Sequence, residues 1–354
     1  VAGAGKTSTI IHGTTLMSGD IFLGAYNTDI AAEIKSKLAG MPVNVNVSTM
    51  HAAGLRAFRR VADPVVNKDK CRDIFREMTH RDMMAGVLEG PVLQLVSYAK
   101  QAAVGVGNSE KDESVWMDLI NHFDVETFDK RRDEDCTGEI LSLALAVYNR
   151  SAQACKHVID FDDMIFAPLY FGVKFNKYDW VLLDEAQDTN RSRRLLALQL
   201  MKPTSRLVAV GDPHQAIYGF TGADADSLDQ IQFATNAIVL ALSVTFRCPK
   251  VIVNYAHTWV NHIHAAETAP DGILTHAEIE QLTELAKVGD TILCRFNAPL
   301  VKYVYQFVAK GIPARIQGRE ISAGLKNTVR RWKAKTLYEL LEKVNLFTEK
   351  EVEK

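Results

Sequence analysis

The sequence has little of several features that would assign it to a special class of protein. Its five cysteines among 354 residues form no Cys-x-x-Cys pair, so a cysteine metal cluster is not expected and a reducing compartment is favoured. No apolar run reaches the roughly 18 residues that a membrane-spanning helix needs, and no signal-peptide pattern opens the chain. Neither sign of charge is in excess, because 41 Lys and Arg face 43 Asp and Glu. Any contact with nucleic acid must therefore depend on a local groove.

Hydrophobic residues make up 47% of the chain and charged residues 24%, as in ordinary globular proteins. At roughly 150 residues per domain the length suffices for two domains. Short apolar runs that end in acidic or glycine residues alternate with helical patterns. This indicates an α/β fold on a parallel sheet, with a site at the carboxyl ends of the strands. The predicted strands are 21–25, 43–47, 180–183 and 206–210, and the predicted helices are 7–17 and 30–38.

Two stretches differ from this pattern. Residues 66–150 are rich in charge and lack strong strand runs, so we interpret them as a helical insertion in the first domain. From residue 246 a second α/β stretch begins, with strands predicted at 291–294 and 314–317 and a helix at 298–309. The sequence therefore predicts one α/β domain, interrupted by the helical insertion, followed by part of a second α/β domain.

A phosphate-binding loop opens the chain. Gly3, Gly5, Lys6 and Thr7 fit the end of the pattern Gly-x4-Gly-Lys-Ser/Thr, whose first glycine would lie before Val1, so we expect the sequence to be a fragment. Glycines let backbone N–H groups point at phosphate oxygens, and the following helix adds its positive amino-terminal end. The lysine of such a loop reaches the β- and γ-phosphates, and the threonine hydroxyl binds Mg²⁺. The alternative is a glycine turn with a chance Lys-Thr pair.

An acidic pair follows the strand predicted at 180–183. Asp184 would hold Mg²⁺, and Glu185 would orient the attacking water as a general base. Taken alone, an Asp-Glu pair at a strand end is more often a solvated turn. Its occurrence together with the phosphate-binding loop favours the catalytic interpretation.

A glycine-rich loop with two aromatic residues follows the strand predicted at 206–210. Gln215 can accept a hydrogen bond from the attacking water and donate one to a phosphate oxygen, so we interpret it as a γ-phosphate sensor. Tyr218 and Phe220 would be unusual core residues in such a loop. They are suited to form a platform on which bases stack.

These three blocks, in this order, resemble those of the UvrD/Rep-like superfamily 1 DNA helicases. Further blocks of the family are matched at residues 25–38, 48–51, 160–164 and 242–247. The resemblance implies an α/β fold in which a RecA-like P-loop parallel sheet domain carries a helical insertion and is followed by part of a second RecA-like domain. The implied division is 1–65 and 151–245 for motor domain 1A, 66–150 for insertion 1B and 246–354 for a partial motor domain 2A.

The resemblance also implies which residues contact each ligand. ATP would contact Gly3, Ala4, Gly5, Lys6, Thr7, Ser8, Phe246 and Arg247. The catalytic residues would be Lys6, Glu185, Gln215 and Arg247, and the Mg²⁺ ligands would be Thr7 and Asp184. Single-stranded DNA would contact Tyr26, Asn27, Thr49, His51, Tyr218 and Phe220. The basic runs at 56–60, 191–194 and 330–333 could follow a phosphate backbone, but such runs are more often solvated helix faces.

The implied function is an ATP-dependent DNA helicase or translocase that moves 3′ to 5′ on single-stranded DNA, with ATP and Mg²⁺ as cofactors. Its partners would be single-stranded DNA, duplex junctions and repair or replication proteins, in the cytoplasm of a bacterial or phage-infected cell. No block resembles motif V or the arginine-rich motif VI of the family, so we expect this fragment to be inactive by itself. Two alternatives remain: a helicase–nuclease fusion of the RecB/AddA type, and a non-motor switch that uses nucleotide only to set a conformation.

Overall fold

The computed structural model describes residues 1–80, 86–107, 113–130, 132–216 and 226–316, with isolated positions between 330 and 343. The chain divides into two compact units, residues 1–273 and residues 274–354. The helices are α1 (Lys6–Thr14), α2 (Thr28–Leu38), α3 (Met50–Phe58), α4 (Lys70–Met78), α5 (Glu89–Gln101), α6 (Glu113–His122), α7 (Thr137–Ala154), α8 (Asp163–Tyr170), α9 (Arg191–Gln199), α10 (Ser227–Thr235), α11 (Lys250–Ala256), α12 (Leu282–Leu285) and α13 (Asn297–Ala309). The strands are β1 (Ile21–Ala25), β2 (Val45–Thr49), β3 (Val65–Val66), β4 (Phe128–Asp129), β5 (Glu134–Asp135), β6 (Val158–Ile159), β7 (Tyr178–Leu183), β8 (Met201–Ala209), β9 (Val244–Thr245) and β10 (His264–Ala265).

A parallel sheet of four strands, in the order β2-β1-β7-β8, forms the centre of the first unit. Leu23 of β1 is in register with Val47 on one side and with Leu182 on the other. All five residues of β1 are buried, because helices cover both faces of the sheet. The predicted α/β fold with a parallel central sheet is thus confirmed.

The two faces of this sheet have separate hydrophobic cores. On one face Leu23 packs with Ile10 of α1 and Ile34 of α2. On the other face Phe22 packs in a cluster with Met50 of α3 and Leu196 of α9. Because side chains alternate along a strand, neighbouring residues of β1 reach the opposite cores.

Side-chain caps set where three of the sheet helices begin. Asn27 Oδ1 accepts from the backbone N–H of Ile30 at 2.8 Å, and Thr49 Oγ1 accepts from the N–H of Ala52 at 3.2 Å. At the start of α9, Asn190 Oδ1 accepts from the backbone of the third helical residue at 3.0 Å. Such caps satisfy N–H groups that have no partner within the helix. Since the caps of α2 and α3 directly follow strand ends, those helices start at the carboxyl edge of the sheet.

In the part of the insertion that the structure describes, helices α4, α5, α6 and α7 pack around a common core. Trp116, Leu95 and Ile140 are all fully buried at its centre. The helical content predicted for residues 66–150 is therefore present, with the short antiparallel pair β4 and β5 in addition. Among the described residues, no helix is long and apolar enough to cross a membrane.

A buried cluster of four charges joins this insertion to the sheet domain. Lys70 Nζ lies 2.6 Å from Asp163, and Lys100 Nζ lies 2.6 Å from Asp160 and 2.8 Å from Asp163. The lysines come from α4 and α5, and the aspartates flank the start of α8. Two positive and two negative charges thus neutralise each other inside the protein, which is the condition under which buried charges are tolerated.

Several element boundaries differ from the prediction. The strand expected at 43–47 runs from Val45 to Thr49, and the strand expected at 206–210 begins at Met201. The strands expected at 291–294 and 314–317 are wrong where the structure describes them, because residues 291–294 and 314–316 are irregular. Within the described part of the second unit these runs pair with no strand, and an extended run without a partner is not stable as a strand. The helix predicted at 298–309 is confirmed by α13.

Candidate active site

The glycines of the first loop adopt conformations that other residues avoid. Gly3 has a φ of 67° and Gly5 a φ of 76°, both in the left-handed region that favours glycine. Gly3 also lies close to a distant part of the chain, since a Cβ there would be 2.5 Å from the Cβ of Arg247. The backbone N–H of Phe246 donates to Gly3 O at 3.0 Å. The structure therefore brings Phe246 and Arg247 to the loop, where the resemblance predicts them.

The two predicted Mg²⁺ ligands meet at the end of this loop. Thr7 Oγ1 donates a hydrogen bond to Asp184 Oδ2 at 2.8 Å, across 177 residues of sequence. Burial raises the pKa of Asp184, an effect that the hydrogen bond from Thr7 opposes. A buried carboxylate of this kind is stabilised by a nearby cation. Lys6 is 9% exposed and donates from Nζ to Val1 O at 3.2 Å, within the loop.

The side-chain oxygens of Thr7 and Asp184 suit Mg²⁺ better than a metal whose ligands all come from the protein. No group of three or more His, Cys, Asp and Glu residues that could hold a metal occurs in the part of the chain that the structure describes. Mg²⁺ commonly binds one or two protein oxygens together with waters and substrate phosphates. Of the remaining predicted loop residues, Ala4 is buried and Ser8 is exposed on the first turn of α1.

Glu185 has an unusual backbone conformation next to the metal candidate. Its φ of 49° and ψ of 48° are left-handed, which is uncommon for a residue other than glycine. Its Oε2 accepts a hydrogen bond from Gln187 Nε2 at 2.9 Å. The backbone N–H of Glu185 donates to Asp184 Oδ1 at 3.1 Å, so the two carboxylates have fixed relative positions.

Gln215 follows β8 in a short 3-10 helix, Pro213–Gln215. Its Nε2 donates to Asp212 Oδ2, so its amide group is oriented by the residue that begins the turn. The ends of β7 and β8 are adjacent, because Val210 N donates to Leu183 O at 2.9 Å. Gln215 therefore belongs to the loop beside the acidic pair. Tyr218 and Phe220 lie outside the described residues.

The other predicted DNA contacts lie at the carboxyl edge of the sheet. Asn27 and Thr49 use their side-chain oxygens as helix caps, which leaves the Asn27 amide nitrogen for another contact. Tyr26 directly follows β1, and the guanidinium of Arg193 lies over its ring at 5.6 Å from the centroid. The structure thus places an arginine of the 191–194 run on the predicted DNA face and against an aromatic ring.

His51 is neutral at pH 7 in this structure. Burial and the charge of Arg193 lower its pKa to about 4. Its ring contacts Phe161 edge-to-face, with the centroids 6.0 Å apart. Phe161 is 60% exposed between two aspartates, one of which, Asp160, belongs to the buried charge cluster.

Three residues of this region were missed as site residues by reasoning from the sequence. Phe161 stood in a recognised block, yet only its acidic neighbours were considered. The sequence alone does not distinguish Arg193 from a residue on a solvated helix face, and it gives no role to Gln187, which stands between Ala186 and Asp188. In each case the available signal was proximity to a matched motif, and only the fold shows what the side chain contacts.

Comparison with known proteins gives a consistent result. A family model described as the UvrD/REP helicase N-terminal domain matches residues 1–235. Proteins described as ATP-dependent DNA helicase PcrA, from Staphylococcus epidermidis and Staphylococcus aureus, are 24% identical to the chain over 296 residues. These alignments cover 77% of this chain and 38% of each relative. The chain thus spans about two fifths of the length of the curated relatives it matches.

Proposed function

The chain belongs to the UvrD/REP helicase N-terminal domain family, and from this we propose that its protein is an ATP-dependent DNA helicase that moves 3′ to 5′ on single-stranded DNA. One observation carries most of this proposal, namely the hydrogen bond between Thr7 and Asp184. It joins the phosphate-binding loop to the acidic strand end, the two parts that nucleotide hydrolysis requires.

Each polar residue of the site has a distinct role in this proposal. Lys6 and the N–H groups of the loop hold the phosphates, and Thr7 and Asp184 hold Mg²⁺, which neutralises charge on the phosphate oxygens when bound. Glu185 orients the attacking water and accepts its proton. Gln215 senses the γ-phosphate from the loop after β8.

Phe246 and Arg247, which directly follow β9, supply two further contacts to ATP in this proposal. The ring of Phe246 is 73% exposed, so it is free to stack on adenine. Arg247 follows directly and would contact the γ-phosphate. The core that α4, α5, α6 and α7 share supports insertion 1B at 66–150. The rest of the proposed division, with 1A in two segments and 2A from residue 246, rests on the resemblance of the sequence blocks.

Single-stranded DNA is the proposed partner at the carboxyl edge of the sheet. Tyr26 and Phe161 supply aromatic rings for stacking there, Arg193 supplies a positive charge, and Asn27, Thr49 and His51 supply polar groups. The sequence blocks add Tyr218 and Phe220 as further stacking residues. Stacking on such rings is tolerant of sequence. We therefore expect the protein to act at duplex junctions during DNA repair or replication, in the bacterial cytoplasm at the nucleoid, without strong sequence preference.

The decisive experiment measures ATP hydrolysis and strand displacement by the full-length protein, with and without single-stranded DNA. DNA-stimulated hydrolysis with unwinding of duplexes that carry a 3′ overhang would support the proposal. Nucleotide binding without DNA-stimulated turnover would refute it in favour of a conformational switch. Degradation of the DNA during the same assay would identify a helicase–nuclease fusion instead.

A further inference from the structure

Gln187 lies between the two halves of the candidate active site. Its Nε2 donates to Glu185 Oε2 at 2.9 Å and to Asp188 Oδ2 at 3.4 Å. Its Oε1 accepts from the backbone N–H of Asp212 at 3.0 Å. The side chain is 4% exposed, so these groups, and not water, satisfy its hydrogen bonds. One amide therefore joins the acidic end of β7 to the loop that follows β8.

The hydrogen-bond network determines which way this amide faces. A backbone N–H can only donate, so the group that faces Asp212 must be the amide oxygen, and the amide nitrogen must then face the two carboxylates. Gly211 makes this approach possible, because a Cβ at that position would lie 2.7 Å from Gln187 Oε1. A glycine before Asp212 is thus explained by the space that Gln187 needs.

We propose that Gln187 is a positioning residue, which fixes the position of the Glu185 carboxylate and connects it to the loop that carries Gln215. This proposal rests on the proposed ATP hydrolysis. Asp212 is the shared point, since its N–H binds Gln187 and its carboxylate accepts from Gln215 Nε2. A movement of Gln215 on phosphate binding is therefore transmitted to Glu185 through Asp212 and the side-chain amide of Gln187.

The electrostatic environment explains why a donor is needed at this place. Burial, and then the charge of Glu185, raise the pKa of Asp188 to about 6. Asp188 Oδ1 is buried with no hydrogen-bond partner among the described residues. The other charged groups near the two carboxylates are Arg193, which faces Asp188, and Asp184 with Lys6 on the side of the loop. Without Gln187 the two carboxylates would face each other with no donor between them.

The first test measures the contact itself in this 354-residue chain and is independent of catalysis. With ¹⁵N-labelled glutamine, the side-chain NH₂ signals of Gln187 are identified by their loss in Gln187→Glu. These signals should shift as the pH passes through the titration of Asp188, near 6, and should move again in Glu185→Gln. The side-chain signals of Gln199, which is exposed, serve as the control and should not move. Signals that respond to neither change would overturn the proposal.

The second test measures hydrolysis in the full-length protein. Gln187→Ala should lower kcat on the order of 10- to 100-fold while KM for ATP stays within about twofold, because the water and not the nucleotide loses its orientation. Gln199→Ala is the matched control.

The outcomes of the second test are distinguishable. A wild-type protein without ATPase activity would refute the proposed function, and the positioning role of Gln187 in hydrolysis with it, while the NMR measurement still decides the contact. A Gln187→Ala protein with a lower melting temperature but an unchanged kcat would show that Gln187 is only structural.

Discussion

Replacement of Lys100 by methionine should destabilise the first unit by about 3–5 kcal/mol, the usual result of leaving a buried charge without its partner. The Lys100 side chain is 1% exposed and pairs with both Asp160 and Asp163. In the wild-type chain two ammonium groups balance two carboxylates, and the variant leaves one negative charge in excess. Methionine is unbranched and adapts to irregular space, so the loss comes from the charge and not from packing.

The pH dependence of stability gives this prediction a second signature. Burial alone would raise the pKa of Asp160, but the charge of Lys100 lowers it from 3.8 to about 2. A carboxyl group with a lowered pKa contributes stability above its unfolded pKa and loses this contribution as the pH falls through the folded value. Wild type should therefore lose this contribution between pH 3.8 and about 2, and Lys100→Met should lack it. The difference in unfolding free energy between wild type and Lys100→Met should therefore become smaller as the pH falls from 3.8 to about 2.

Urea unfolding and thermal unfolding, both followed by circular dichroism, measure the loss of stability and its pH dependence. At about 2–4 °C per kcal/mol, the expected fall in melting temperature is about 6–20 °C. Lys37→Met is the control, because Lys37 pairs with Glu33 on the surface and its loss should cost about 0.5 kcal/mol or less. Lys100→Met/Asp160→Asn should recover part of the lost stability. A Lys100→Met protein as stable as Lys37→Met would refute the assignment of a balanced buried charge cluster.

Three further predictions concern the ligands. In this chain Lys6→Ala should weaken binding of a fluorescent ATP analogue by roughly tenfold or more, because a charged phosphate contact is lost. The affinity for oligothymidylate should be unchanged. An unchanged nucleotide affinity would contradict the assignment of the phosphate-binding loop. In the full-length protein Glu185→Gln should bind Mg·ATP normally but release no phosphate; a parallel loss of binding would make Glu185 a ligand and not the base. Phe161→Ala should weaken single-strand binding by about 1–3 kcal/mol in fluorescence anisotropy, as for a stacked base. Phe128→Ala, an exposed aromatic of the insertion, should leave that affinity unchanged, and equal effects of both would exclude Phe161 from the DNA face.

The sequence by itself was sufficient for features that depend on neighbouring residues. The sequence places glycines at positions 3 and 5 of the predicted phosphate-binding loop, and both have a positive φ, which glycine adopts without strain. The apolar run at 21–25 predicts a buried strand, and all its residues are buried. The order of the short blocks identified the family, which the match over residues 1–235 confirms. The roles of the individual site residues stay predictions.

Only the tertiary structure decided which side chains meet across the chain. Lys100 and Asp163 are separated by 63 positions and Thr7 and Asp184 by 177, and no local pattern signals either pair. The apolar run at 291–294 looked like a strand, but a strand depends on hydrogen bonds to a partner that the run does not specify. The same holds for Gln187, whose role follows from a backbone N–H 25 residues away. Local sequence sets backbone preference and periodicity, whereas pairing between distant polar groups depends on how the helices pack around the sheet.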